Sequence, residues 1–303
     1  LRVVALRRLL LALRVDPRAL QLADRFVAGR PWAQRWYSFV YDYCYWRGVR
    51  RAVAGRDLWR RLTSGVTILE YHAFGAGEPP SRFVVPVGRF SRQMRWLLLT
   101  RRRVLGLETY LRYRRAHCLP PAGSVVITID DGYADVRTLA YPVLRRRGFP
   151  ATVFLASGRI GACNTWDSAG ELAGRRLCSW SDLEAMRRGG VEYGGHTRTH
   201  PHVALLSAHA AQDEVAGGRG DLQHALDVPA SAFAYPYGEC DCRSRGLAEQ
   251  AGYLGACGTD LGQNAPATPS FALRRTEIPG TMSLVGFALT LWLGSWRAPR
   301  SGR

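Results

Sequence analysis

Two short segments hold side chains whose types and spacing could do chemistry. Asp130 and Asp131 stand together at the end of the apolar run Val125–Ile129 and directly before Gly132. His196 and His200 lie four residues apart after Gly194-Gly195. One carboxylate and two imidazoles form the donor set of an open catalytic zinc site, which keeps a coordination position for water. Zinc or another divalent transition metal lowers the pKa of such a water to about 7. A second carboxylate beside it can then act as general base toward a carbonyl. Each segment alone is ordinary, since Asp-Asp-Gly is a common β-turn. Their combination suggests a metal hydrolase.

Elements of two kinds must bring these groups together. Short apolar runs at 66–71, 125–129, 151–156, 191–193, 232–235 and 253–257 read as buried strands. Helical spacing or helix end signals mark 90–101, 134–147, 180–188, 207–226, 243–251 and 282–293. Strands alternating with helices predict an α/β fold with a parallel sheet, and about seven strands would allow barrel-like closure. His72, Asp130-Asp131, His196 and Tyr235-Pro236-Tyr237 all fall at predicted strand ends, where such folds carry their catalytic groups. If 196–200 turns helically, both imidazoles share one face. Gly217-Gly218 interrupts the helix expected at 207–226, weakening it by roughly 2 kcal/mol. His202, His209 and His224 lack such pairing and read as surface residues.

The organisation is bipartite. Residues 1–62 are rich in arginine and tryptophan and read as an α-helical N-terminal extension, whereas 63–303 carry the catalytic pattern. Tyr43–Arg51 faintly resembles the tail of some bacterial sugar transferases, so the tail of an upstream domain is an alternative reading of this extension. The formal charge is +18, and all 42 basic residues are arginine. This reflects a codon bias more than a ligand, since no aromatic-basic stacking platform accompanies it and no nucleic-acid partner is expected. An anionic membrane surface, approached through the arginine- and tryptophan-rich extension, is a candidate partner. Arg7, Arg8 and Arg14 interrupt any signal-like apolar run, so a bacterial protein in the cytoplasm or at the membrane periphery is expected rather than a secreted one. The 7 cysteines form no Cys-x-x-Cys pair and read as reduced structural thiols.

Six blocks occur in order around these groups. They are Ile68-Leu69-Glu70-Tyr71-His72, Phe90-Ser91-Arg92-Gln93-Met94, Thr128-Ile129-Asp130-Asp131-Gly132-Tyr133, Pro150–Leu155, Gly195–Pro201 and Ala234-Tyr235-Pro236-Tyr237-Gly238. Residues 66–280 thereby resemble the polysaccharide deacetylase family, carbohydrate esterase family 4, whose domain is the NodB homology domain. The subgroup resembled is the one with an N-terminal Tyr-His block. The resemblance implies a distorted (β/α) barrel that removes acetyl groups from N-acetylated sugars of a polysaccharide or lipid-linked glycan. Carried over residue by residue, it makes Asp130 the general base and Asp131, His196 and His200 the metal ligands. The backbone N–H of Tyr237 would hold the oxyanion. Many relatives take the general acid from a C-terminal Leu-x-His motif; no histidine follows His224 here, and the Tyr-His block nominates His72. The arginine that often orients the base in the third motif is replaced near Phe233 and Ala234, which leaves the partner of Asp130 unidentified. Two other readings stay open: hydrolysis of a small cyclic amide or ureide on the same barrel, and a non-catalytic glycan-binding barrel.

Overall fold

The protein was analysed as a computed structural model that describes residues 65–293. The N-terminal extension read at 1–62 lies outside the described residues. In chain order the strands are β1 Thr67–Tyr71, β2 Ala73–Gly75, β3 Val84–Pro86, β4 Val104–Leu105, β5 Val125–Ile129, β6 Thr152–Leu155, β7 Glu192–Gly195, β8 Ala232–Ala234, β9 Gly255–Leu261 and β10 Leu273–Glu277. The helices are α1 Val87–Leu99, α2 Leu107–Arg115, α3 Tyr141–Arg145, α4 Trp180–Arg187, α5 Ala208–Gln212, α6 Gly218–Leu226, α7 Cys242–Gln250 and α8 Leu284–Leu293.

β1 and β5 are buried at every position, as expected of strands covered on both faces. They pair in parallel over their full length. From β1 the parallel pairing continues through β10, β9, β8, β7 and β6 and returns to β5. This closes a barrel of seven parallel strands, in agreement with the fold expected from the sequence. β4 pairs with the first half of β5 only, and β6 takes over that edge at Thr128 and Ile129. Strand alternation then decides what lies inside the ring. Val66, Ile68, Val126, Phe154, Ala232, Ala234, Cys257 and Leu273 fill its lower part, stoppered by Leu107, Tyr110 and Leu111 of α2. Leu69, Tyr71, Ile127, Ile129, Val153 and Leu155 point outward and pack against α1, α4 and α8.

Two departures from the sequence reading matter for function. β10, the strand that completes the ring, was not expected, because Leu273-Arg274-Arg275-Thr276-Glu277 contains no apolar run. It is a strand because β1 and β9 supply hydrogen-bonding edges on both sides. The helix expected at 207–226 instead runs as α5, a π turn at Asp213–Gly217, and α6. No helix among the described residues is long and apolar enough to cross a membrane.

Candidate active site

The inward register of β1 and β5 continues upward as a polar layer. Along β1 the sequence of inward positions is Ile68, Glu70, His72, and along β5 it is Val126, Thr128, Asp130. β10 contributes Arg275 to the same layer, 1% exposed. Its guanidinium donates two parallel hydrogen bonds to Asp130, at 2.7 Å to Oδ1 and 2.8 Å to Oδ2. It also lies 3.4 Å from a carboxylate oxygen of Glu70 and donates to the Gly258 carbonyl. Arg275 is therefore the partner of Asp130 that the sequence left unidentified. Burial pushes the Asp130 carboxyl up, but Arg275, with His196 and His72 nearby, outweighs it and leaves the pKa below the usual carboxylate value. For Glu70 burial prevails over the same guanidinium, and the pKa is raised.

Asp131 and Gly132 turn the chain off β5, with φ of 67° and 73°. Gly132 is required twice over: L-residues avoid that φ, and a Cβ there would collide with Leu155. The turn moves Asp131 to the side of the rim where His196 arrives from β7. Oδ1 of Asp131 lies 3.4 Å from Nε2 of His196 and 3.4 Å from Nε2 of His200. Burial alone would raise the Asp131 carboxyl; the two imidazoles reverse this and hold it well below the usual range. The histidine segment does not turn helically. Thr197 and His200 both have positive φ, 66° and 64°, and this left-handed turn rather than a helix face brings the imidazoles together. Nδ1 of His196 lies 2.8 Å from the Ala234 carbonyl. An acceptor there requires Nδ1 to carry the proton, which leaves the Nε2 lone pair of the neutral ring facing Asp131.

These three residues fit a divalent metal. A tetrahedral ion with bonds of roughly 2.0–2.1 Å separates its ligand atoms by about 3.3–3.4 Å, which matches the two measured separations. Asp131 Oδ1, at the centre of the group, is buried and has no hydrogen-bond donor. An uncompensated buried acceptor is unfavourable, and a cation between it and the imidazoles would satisfy it. The Tyr133 hydroxyl lies near the Asp131 charge and receives a hydrogen bond of 2.9 Å from Asn164. Proximity of the Asp131 charge adds to burial in raising the Tyr133 pKa.

His72 comes to the same rim from β1. Its ring nitrogen and carboxylate oxygens of Asp130 and Glu70 lie within 4.8 Å of one another, and Phe83 packs against its ring at 4.8 Å. Arg275 already occupies that carboxylate pair, so this second group is no metal site. Trp166 stacks on His200 at 4.7 Å. Tyr237, with φ of 58° and 46% exposed, meets the edge of His200 from the opposite wall. His202, read from the sequence as a plain surface residue, stacks on the Tyr237 ring at 3.8 Å and bonds to Glu239 at 2.7 Å. It belongs to the rim, because the turn at His200 redirects the chain toward Tyr237. His209 and His224 are exposed, as expected.

The structure thus gathers Asp130, Asp131, His72, His196, His200 and Tyr237 at one rim. It adds Arg275, Glu70, Tyr133 and Asn164, which sequence reasoning missed. Arg275 gave no signal, being one arginine among 42. Tyr133 could have been suspected from its place directly after Asp-Asp-Gly.

A closed parallel barrel with carboxylates and imidazoles gathered where its strands end defines a NodB-like (β/α) barrel protein. A family model described as "Polysaccharide deacetylase" matches residues 119–256. The YxkH protein of Bacillus subtilis is 26% identical over 216 residues, 71% of this chain and 72% of that protein. Poly-beta-1,6-N-acetyl-D-glucosamine N-deacetylase of Staphylococcus aureus is 30% identical over 91 residues, 30% of this chain and 31% of that enzyme. The solved structure of Streptococcus pyogenes deacetylase PplD in complex with acetate superposes with a TM-score of 0.65 at 23% identity. That alignment covers 75% of this chain and 98% of PplD. The chain thus matches the polysaccharide deacetylase model over residues 119–256 and shares the barrel fold of PplD.

Proposed function

We propose that this protein is a metal-dependent hydrolase that removes acetyl groups from N-acetylated sugars of a polysaccharide or lipid-linked glycan. The observation that carries this reading is the convergence of an Asp131/His196/His200 donor set with an arginine-held Asp130 at one barrel rim. The match of residues 119–256 to the polysaccharide deacetylase model supports it, and the matched staphylococcal enzyme, by its name, deacetylates a polymer of N-acetylglucosamine. Asp131, His196 and His200 would hold the ion, with zinc favoured by the donors. When bound, such an ion polarises the amide carbonyl and lowers the pKa of water.

The remaining steps belong to the chain's own groups. Asp130, kept ionised by Arg275, takes a proton from the attacking water at its carboxylate. The Tyr237 backbone N–H is assigned to the developing oxyanion, where a preorganised donor contributes about 3–4 kcal/mol. The imidazole of His72 gives its proton to the departing amine of the sugar. His72 stands on the Asp130 side of the cluster. Trp166 and Phe83 cover the outer faces of His200 and His72 and restrict water there. A location in the cytoplasm or at the membrane periphery accompanies this reading.

The test is acetate release from N-acetylglucosamine oligomers by zinc-loaded protein. Wild type should release acetate, and Asp130→Asn should lose at least about 100-fold in rate, the usual scale for a positioned general base, while still binding zinc. No acetate from any N-acetylated glycan, with zinc bound normally, would sink the deacetylase reading. Full activity in Asp130→Asn would remove only the base assignment.

A further inference from the structure

The segment from His196 to His200 carries two residues in left-handed backbone conformation, Thr197 and His200. Each such residue is disfavoured by on the order of 1–3 kcal/mol and persists only where surroundings over-determine it. The N–H groups of Ser157 and Gly158 donate to the Thr197 and Arg198 carbonyls from the segment after β6, and the remaining support comes from one element. Oε2 of Glu214 accepts hydrogen bonds from the backbone N–H of Arg198 at 2.7 Å and of Thr199 at 2.9 Å. Oε1 accepts from the Thr199 hydroxyl at 2.7 Å. A carboxylate receiving three donors from two consecutive residues fixes the middle of the turn, and charge-assisted bonds of this kind are the strong ones.

The rest of the element keeps Glu214 in place. Glu214 lies on the π turn at Asp213–Gly217. On either side of it Asp213 and Asp221 bind the Arg198 guanidinium, at 2.7 Å and at 2.9 Å twice. Asp221 also accepts from Ser157, just past β6. The two glycines that seemed to weaken this helix are where the turn sits closest. A Cβ at Gly218 would stand 3.0 Å from the Thr197 carbonyl, and one at Gly217 would stand 2.6 Å from the Arg198 guanidinium.

We propose that Glu214 is the positioning residue for the two imidazoles, holding His196 and His200 at the spacing that the Asp131 cluster needs. It touches neither the reacting atoms nor the donor nitrogens and acts through the turn. The inference rests on the reading that Asp131, His196 and His200 hold a metal.

The experiment is zinc affinity by chelator competition on the full chain, together with the visible absorption of the cobalt(II)-loaded protein. Glu214→Ala should weaken zinc binding by about 10- to 100-fold, the scale on which outer partners of metal ligands act, and change the cobalt spectrum. Glu214→Gln keeps an oxygen that can accept from both backbone N–H groups and should recover most of the affinity. Ser207→Ala serves as the control, because it removes the side-chain cap of the same helical stretch without touching the turn. It should lower Tm and leave affinity and spectrum unchanged. Wild-type affinity and an unchanged cobalt spectrum in Glu214→Ala, or an equal loss in Ser207→Ala, would overturn the inference and leave the metal reading intact. A wild-type chain that binds neither ion would overturn both.

Discussion

Arg275 has two buried carboxylates to neutralise, Asp130 through a bidentate pair and Glu70 at 3.4 Å. Replacing it by glutamine leaves both acids in the barrel without a cation. Removing one partner of a buried pair costs about 3–5 kcal/mol, so unfolding by denaturant at pH 7 should show a loss of that order. The sign of its pH dependence follows from Asp130, whose folded pKa is depressed. The stabilisation from the pair is present above the ordinary carboxylate range and disappears as pH falls through the depressed value. The gap between wild type and Arg275→Gln should therefore narrow in acid. Kinetics give a second reading: without the guanidinium the base protonates more readily, and the acid limb of kcat/KM should move up by about 1–3 pH units. An unshifted limb would mean that Arg275 does not set the state of Asp130. His72→Ala, in contrast, should lower kcat by about 100-fold or more through loss of the proton donor. Zinc affinity, measured alongside, should stay at the wild-type value because His72 lies outside the Asp131 cluster.

At the scale of elements, the helical stretch from 208 to 226 shows how local propensity and tertiary need diverge. Gly217, Gly218 and Gly220 lie in it, and helix propensity penalises all three alike. Their surroundings differ. A Cβ at Gly218 would stand 3.0 Å from the backbone carbonyl of Thr197, whereas one at Gly220 would meet nothing within 4 Å. Gly220→Ala should then stabilise the protein by about 0.5–1 kcal/mol. Gly218→Ala should destabilise it by about 1–3 kcal/mol, as overpacking against an atom that cannot yield does. Paired thermal melts decide this, and stabilisation by both would refute the close approach of helix and histidine turn. Arg219 and Asp221 of the same segment serve the fold. Asp221 is bound to Arg198 and Ser157, and Arg219 donates to the carbonyls of Pro229, Ala230 and Ala251. β10 is the converse case, a strand with little local signal created by the edges on either side of it.

For the whole molecule, the barrel's closure and the cluster's completion are linked. Asp131 comes from β5, His196 and His200 from the end of β7, and Asp130 is held from β10, so the site exists only when the ring is closed. A metal bound there binds the folded chain alone. At a free zinc concentration 1,000 times Kd this should add about 4 kcal/mol of stability, seen as a rise in Tm that a chelator reverses. His196→Ala and His200→Ala should each abolish most of the rise, and a rise that survives both would place the ion elsewhere. The basic surplus also looks different in three dimensions. Arg114, Arg175, Arg198, Arg219 and Arg275 hold carboxylates or backbone carbonyls within the fold.

The sequence by itself determined the barrel class and most of the side chains that gather at the rim. Apolar runs alternating with helices leave few topologies, and Asp-Asp-Gly and His-x-x-x-His are local patterns of rare residue types. It could not determine how the groups are held, because those contacts join residues far apart in the chain. Arg275 lies 145 residues from Asp130 and is chemically indistinguishable, in sequence, from the other 41 arginines. The turn that converges His196 and His200 gave no signal in the sequence, since its left-handed residues are threonine and histidine rather than glycine. Hydrogen bonds from the segment after β6, the Glu214 carboxylate and close packing against Gly218 of α6 favour that conformation. Local pattern chose the donors, and tertiary contact decided their geometry, because a strained turn and a buried charge are stable only when distant partners compensate them.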